Sequence, residues 1–137
     1  MILVDTGPLV ALFDPRDRQH AWCVERLRGL RRSLRTTAPV LTEAFHMLPP
    51  ATTGAIRLRE FIAEGGLGVW HLDDASLTRA FELMEVYADH PMDLADASLV
   101  AAGESLGTRA IFTLDRDDFH TYRVRRGHRL LSFEVVE

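Results

Sequence analysis

The sequence predicts an α/β fold, a three-layer sandwich with a central, mainly parallel sheet. Short runs of apolar, β-forming residues alternate along the chain with segments whose apolar residues recur at helical spacing. Residues 2–4 and 110–114 are almost entirely apolar, as is typical of strands that are buried on both faces. Each of these two runs leads directly into an acid and a helix start, an order that repeated strand–helix units produce.

The first such unit begins with a predicted strand, residues 2–4, that ends at Asp5. Thr6 is a good helix N-cap, and Pro8 suits a first helical turn because it has no N–H group to satisfy there. Open α/β sheets bind their ligands at the carboxyl ends of the strands, so we expect Asp5 to lie at such an edge. Taken alone, Asp5 is more simply explained as a solvated turn residue.

A second helix is predicted from a cap at Asp17 to about residue 32. Arginines are concentrated at its far end, where they suit the helix dipole, and phosphate binding is the alternative interpretation. Residues 36–40 are expected to be a short extended piece at an edge of the sheet, because Pro39 cannot donate to a strand ladder. A helix over residues 41–48 follows, with Glu43 in its first turn. The arginine cluster consists of Arg26, Arg28, Arg31, Arg32 and Arg35.

The second half of the chain repeats the strand–helix alternation. Predicted helices cover residues 52–63 and 75–88, with a core strand over residues 67–72 between them. The next helix has Asp93 as its N-cap, which places Asp96 at the third helical position, and it ends at Gly107. Residues 110–114 form a third core strand that ends at Asp115. A short helical turn over residues 117–119 and an edge strand over residues 129–136 complete the prediction.

Composition favours one ordinary globular domain over residues 1–137, with 47% hydrophobic and 26% charged residues. No apolar stretch approaches the roughly 18 residues of a membrane span, and no signal peptide is evident. Cys23 is the only cysteine, so we expect a cytoplasmic protein. All 16 basic residues are arginine, which excludes chemistry that needs a lysine, such as a Walker phosphate loop. A net charge of −4 argues against a nucleic-acid partner unless the acids are concentrated in a pocket that binds metal.

Four acids have comparable predicted positions. Asp5 and Asp115 end core strands, and Glu43 and Asp96 lie in first helical turns. In a parallel sheet the ends of the strands and the starts of the following helices share one edge, so the four side chains can converge. Clustered carboxylates repel one another unless a cation neutralises them. All-oxygen ligands favour Mg²⁺ or Mn²⁺, which many enzymes use to hydrolyse phosphodiesters.

Further residues are assigned supporting or structural roles. Thr6 and Thr113 are predicted to hydrogen-bond and orient the site carboxylates. Asp93 is interpreted as a cap, with outer contact to the metal as the alternative. His46 lies one helical turn after Glu43 and could touch substrate. Each of the four acids has a structural explanation when it is considered alone, as a solvated residue or a cap. Surface positions are expected for Asp117, Asp118, His20 and His90.

Three segments, ILVDTGPLVAL, TAPVLTEAFHML and MDLADASLVAAGESLGTRAIFTLDRDDF, occur in this order and span most of the chain. With them the sequence resembles the PIN-domain ribonucleases, particularly the VapC-type toxins of bacterial toxin–antitoxin pairs. The resemblance places the four acids of the family at Asp5, Glu43, Asp96 and Asp115, with Asp5 and Asp96 as the positions most consistently linked to metal.

The resemblance further implies Mg²⁺-dependent cleavage of single-stranded RNA, a homodimer, and inhibition by a cognate antitoxin protein. Two alternatives stay open. The chain could be a PIN nuclease with a housekeeping role in RNA processing, or a non-catalytic binding module whose acidic pocket docks a basic partner. Residues 52–87 carry little of the family pattern and do not indicate a target.

Overall fold

The computed structural model describes residues 1–137 and contains seven strands and seven helices. In chain order they are β1 (Ile2–Val4), α1 (Thr6–Phe13), α2 (His20–Gly29), β2 (Leu34–Thr37), α3 (Ala38–Met47), α4 (Thr53–Ala63), β3 (Gly68–Trp70), α5 (Asp74–Val86), α6 (Leu94–Leu106), β4 (Ala110–Phe112), α7 (Arg116–Thr121), β5 (Arg123–Arg126), β6 (Arg129–Ser132) and β7 (Glu134–Val135).

The main sheet has five strands in the order β3-β2-β1-β4-β7, and every neighbouring pair is parallel. β1 lies at its centre, with Leu3 opposite Arg35 of β2 on one side and Ile111 of β4 on the other. The carboxyl ends of β1, β2 and β4 therefore lie side by side at one edge. The predicted α/β class with a parallel central sheet is confirmed.

Helices cover both faces of this sheet. A cluster of 24 buried residues includes Leu3 and Ile111, and a second cluster of five includes Ile2, Ala110 and Phe112. Because neighbouring residues of a strand point to opposite faces, these two clusters form the cores on either side of the sheet. The three-layer arrangement follows from this division.

The structure corrects the prediction that residues 36–40 form an edge piece. β2 lies inside the sheet between β1 and β3, with Thr36 and Thr37 fully buried. Pro39 belongs to α3, which begins at Ala38, three residues earlier than predicted. A proline is harmless in a first helical turn because its missing N–H would have no partner there. β3 lies at this edge of the sheet and is only half buried, although it was predicted as a core strand.

The second helix is shorter than predicted at both ends. α2 begins at His20 after Gln19, whereas Asp17 accepts a hydrogen bond from the Gln19 N–H (2.8 Å) in the preceding turn. Because α2 ends at Gly29, the arginine cluster is divided between the helix, the following loop and β2. Arg32 of that loop donates to the Met1 carbonyl (3.0 Å), at the amino edge of the sheet.

The prediction of one continuous edge strand over residues 129–136 is wrong. β6 pairs antiparallel with β5, an additional strand, and only β7 joins the main sheet. Gly127 has φ +61°, the left-handed conformation that the turn between β5 and β6 requires. Buried Phe133 separates β6 from β7.

The remaining helices agree with prediction except at the start of α1, where Asp5 is the N-cap and Thr6, the predicted cap, is the first helical residue. Asp73 and Ser76 form a reciprocal capping box at the start of α5, and the Asp93 carboxylate accepts from the Asp96 N–H (2.8 Å) at the start of α6. Gly107 ends α6 in the left-handed conformation, φ +69°. None of the helices combines the length and apolar character needed to cross a membrane.

Candidate functional site

The carboxyl edge of the sheet opens into a cleft of about 700 Å³. All four predicted site acids line it, so the convergence expected from the sequence is present. No arginine is among the lining residues, and His46 is the only basic side chain there. The excess of negative charge is the main electrostatic property of this cleft. Its six acids are Asp5, Glu43, Asp93, Asp96, Asp115 and Asp118.

Asp5 is the most buried of these acids, with 3% of its surface exposed. Its two carboxylate oxygens accept hydrogen bonds from the Thr6 N–H (2.8 Å) and the Thr113 hydroxyl (2.7 Å). These bonds fix the orientation of the side chain and favour its charged form. Burial outweighs them and raises the pKa of Asp5 to about 6, with the charges of Asp115 and Glu43 adding to the rise.

Thr113 ties the ends of the two neighbouring strands together. Its hydroxyl donates to Asp5 and accepts from the Asp115 N–H (3.0 Å), so it fixes the acid that follows β1 and the backbone that follows β4. The side chain is fully buried. The predicted hydrogen bond from Thr113 to a site carboxylate is present.

Asp96 is half buried in the first turn of α6, and it accepts from the Tyr122 hydroxyl (3.1 Å). Burial, together with the nearby charges of Asp93 and Asp5, raises the pKa of Asp96 to about 8. The pKa of Tyr122 is also raised, by burial and then by the charge of Asp96, so its hydroxyl remains a donor. Asp96 is therefore held in place with no basic side chain paired to it.

Glu43 reaches the same cleft from α3. The Thr6 hydroxyl donates to its Oε1 (2.9 Å), which joins the start of α1 to the middle of α3 and matches the predicted role of Thr6. The placement of Glu43 in the first turn of its helix is wrong, because α3 begins at Ala38 and has no acid in its first turn. Glu43 gains nothing from the first-turn N–H groups and relies on Thr6 instead.

Asp115 occupies the N-cap position of α7 but makes no capping hydrogen bond with its side chain. The Asp115 side chain therefore does not act as a helix cap. Its pKa is raised by partial burial and by the charges of Asp118 and Asp93. Asp115 is exposed and available to a ligand in the cleft.

Sequence reasoning missed three residues of the site. Asp118, expected at the surface, lines the cleft and contacts the His90 Nε2 (2.6 Å), another predicted surface residue. The spacing of Asp115 and Asp118, one helical turn apart at the start of α7, could have indicated that both face one way. Tyr122 had no such indication, because its contact with Asp96 depends on how β5 packs on α6.

The donor chemistry of the cleft fits a hard divalent cation. Every acid offers oxygen ligands, and three of them, Asp5, Asp96 and Asp115, have raised pKa values that a nearby cation would lower. No three His, Cys, Asp or Glu side chains form a ready-made metal-holding group. The cleft therefore supplies the type of ligand that Mg²⁺ prefers, oxygen, but not a preformed site of three ligands.

The parallel β-sheet and the acids at its carboxyl edge define the class of this protein: an α/β domain with an acidic cleft. The PIN-domain family model matches residues 2–125, and the chain belongs to that family. The resemblance predicted from the sequence is confirmed.

Two relatives are similar over most of their length. Ribonuclease VapC26 of Mycobacterium tuberculosis is 28% identical over 131 residues, covering 93% of this chain and 96% of that protein. The crystal structure of Mycobacterium tuberculosis VapC20, described as a sarcin-ricin loop cleaving toxin, superposes with a TM-score of 0.73. It is 18% identical, with 81% of this chain and 87% of that chain covered, and it supports the fold.

Proposed function

We propose that this protein is an Mg²⁺-dependent endoribonuclease that hydrolyses RNA phosphodiester bonds, with Mn²⁺ as an alternative ion. The observation that carries the proposal is the convergence of six acids in one cleft that has no arginine. Burial, with the charges of neighbouring acids, raises the pKa values of Asp5 and Asp96, as expected where no cation faces these carboxyl groups. Membership of the PIN-domain family and similarity to a ribonuclease support the same activity.

In this proposal the four predicted acids, Asp5, Glu43, Asp96 and Asp115, would close on the ion as it binds, since no three of them form a ready-made site in the structure. When bound, the ion polarises the scissile phosphate and activates water for attack. The protein contributes orientation: Thr113 and the Thr6 N–H fix Asp5, the Thr6 hydroxyl fixes Glu43, and Tyr122 fixes Asp96. Asp93 accepts from the Asp96 N–H and so stabilises the first turn of α6, to which Asp96 belongs.

We further propose that the chain is the toxin of a type II toxin–antitoxin pair, acting in the cytoplasm as a homodimer and inhibited by a cognate antitoxin protein. Similarity to VapC26 and to VapC20 supports this role. A small antitoxin gene directly upstream would favour it. Without such a gene, a housekeeping PIN nuclease in RNA processing becomes the better proposal.

The testing experiment is cleavage of total cellular RNA by the purified protein. We expect cleavage with Mg²⁺ or Mn²⁺, none with EDTA, and loss of cleavage in Asp5→Asn and Asp96→Asn. Asp93→Asn should be milder, since asparagine is also a good N-cap. Cleavage that persists in EDTA would rule out the metal mechanism. Binding of a basic protein partner without any RNA cleavage would favour the non-catalytic module.

A further inference from the structure

Two arginines that have no acidic partner lie against one tryptophan. The guanidinium carbons of Arg26 in α2 and Arg116 in α7 are each 5.0 Å from the centre of the Trp22 ring. Neither arginine takes part in an ion pair, and the Nε of Arg26 is buried without a hydrogen-bond acceptor. These side chains therefore lie against the aromatic ring without a direct ion pair.

This group lies beside the acidic cleft. Arg116 directly follows Asp115 and lines a smaller cleft of about 330 Å³, of which Asp115 and Asp118 are also part. Asp117 also lines the smaller cleft, and Asp115 and Asp118 line the acidic cleft as well, so Arg116 is the one basic side chain on this shared margin. The Trp22 ring, 6.0 Å from the ring of Phe112 at the end of β4, fixes the group to the sheet.

An acidic cleft in a protein of net charge −4 repels RNA over most of its surface. A polyanionic strand must therefore meet positive charge close to the reacting phosphate. Unpaired guanidinium groups are suited to this, because they bind phosphate through two parallel N–H donors. Stacking on Trp22 restricts the arginines before binding, which reduces the entropy lost when they contact a phosphate.

We propose that Arg26 and Arg116, positioned by Trp22, form a binding site for the RNA backbone phosphates that flank the scissile bond. The proposal rests on the endoribonuclease function proposed above. It replaces the broader interpretation of the arginine cluster, of which only Arg26 belongs to this group. Arg32 lies at the opposite edge of the sheet, where it donates to the Met1 carbonyl.

The test is binding of a fluorescent single-stranded RNA in EDTA, measured by anisotropy over a series of salt concentrations. Arg26→Gln and Arg116→Gln should each weaken binding, and each should reduce the slope of log K against log salt by about 0.7, the loss of one phosphate contact. Trp22→Phe should weaken binding while keeping the slope, because both charges remain. Arg28→Gln is the matched control, an exposed arginine of the same helix that makes no contact with Trp22.

Cleavage with Mg²⁺ provides the second measurement. The double variant Arg26→Gln/Arg116→Gln should raise KM about tenfold and leave kcat nearly unchanged, since the contacts hold substrate and transition state alike. Thermal unfolding of each variant checks the fold, and the exposed Arg116 gives an answer even where Arg26→Gln is unstable.

Wild-type protein that cleaves RNA, with a salt slope and KM that Arg116→Gln leaves unchanged, would overturn this proposal and leave the proposed nuclease function standing. Wild-type protein that neither binds nor cleaves RNA would overturn both.

Discussion

The Thr113 hydroxyl donates to Asp5 Oδ2 over 2.7 Å, and through this bond the ends of β4 and β1 hold one buried carboxylate in a single orientation. The bond crosses 108 positions of sequence. It joins two strands whose ends form the edge of the acidic cleft, so the orientation of Asp5 depends on the register of the sheet.

Asp5→Asn should separate activity from stability. Cleavage should fall at least about 100-fold, because a metal-bound carboxylate supplies several kcal/mol of transition-state stabilisation. The free energy of unfolding at pH 8 in EDTA should be unchanged or higher. The buried charge is removed, and this gain offsets one weakened hydrogen bond of about 1 kcal/mol. Initial rates and urea unfolding of the same preparation test both parts, and a stability loss above about 2 kcal/mol would contradict the second.

Without metal, stability should fall as the pH rises from about 4 to about 8. The pKa of Asp5 is raised from 3.8 to about 6 and that of Asp96 to about 8, so the native state binds more protons than the unfolded state over this range. Asp5 alone should account for about 3 kcal/mol. Asp14 and Asp73 have lowered pKa values, and their opposite effect lies below pH 4.

Urea unfolding in EDTA at several pH values measures the slope of the free energy of unfolding against pH. Saturating Mg²⁺ should flatten it, because the ion binds the ionised carboxylates. The Asp96→Asn variant should lose the part of the slope between pH 6 and pH 8. Stability that increases over this range in EDTA would show that the cleft acids are already compensated.

Thr113→Val should weaken metal binding about 10- to 100-fold, the usual effect of removing a group that orients a ligand. Valine has a similar shape but leaves Asp5 Oδ2 and the Asp115 N–H without partners. Thr113→Ser should restore affinity, since the hydroxyl remains. Thr36→Val is the control, because its buried hydroxyl donates to the Val4 carbonyl (2.7 Å) instead of a site acid. Calorimetric titration with Mn²⁺ distinguishes these variants.

Asp118→Asn and Asp117→Asn should differ although they are neighbours. Asp118 lines the cleft, and its charge raises the pKa of Asp96 and of Asp115, whereas Asp117 is exposed outside the cleft. Asp118→Asn should lower both pKa values and reduce cleavage about tenfold. Asp117→Asn should leave the rate within about twofold. Carboxyl carbon NMR across a pH series measures the pKa values, and equal effects of the two variants would remove Asp118 from the site.

The parallel sheet and the convergence of four acids could be predicted from local sequence patterns. An apolar run that ends on an acid indicates both a strand and the edge of the sheet at which that strand ends. The position of β2 did not follow, since Pro39 has different consequences in a strand and in a first helical turn. That choice depends on where α3 begins, which is fixed by packing against α1 and α6.

The partners of the acids were predictable only where they are close to a strand end. Thr6 and Thr113 adjoin Asp5 and Asp115 in sequence, so their roles could be predicted. Tyr122 reaches Asp96 from the segment after α7, and the Trp22 contacts combine α2 with α7. Such contacts depend on tertiary packing, which no local pattern in one sequence specifies.

In the proposed mechanism a divalent ion joins these carboxylates. A calorimetric titration of the metal-free protein with Mn²⁺ and with Mg²⁺, alongside Asp5→Asn and Asp96→Asn, measures whether it does. We expect saturable binding to the wild type and at least about tenfold weaker binding to each variant. Binding of equal strength in all three proteins, or none in a wild-type preparation that still cleaves RNA, would contradict the account.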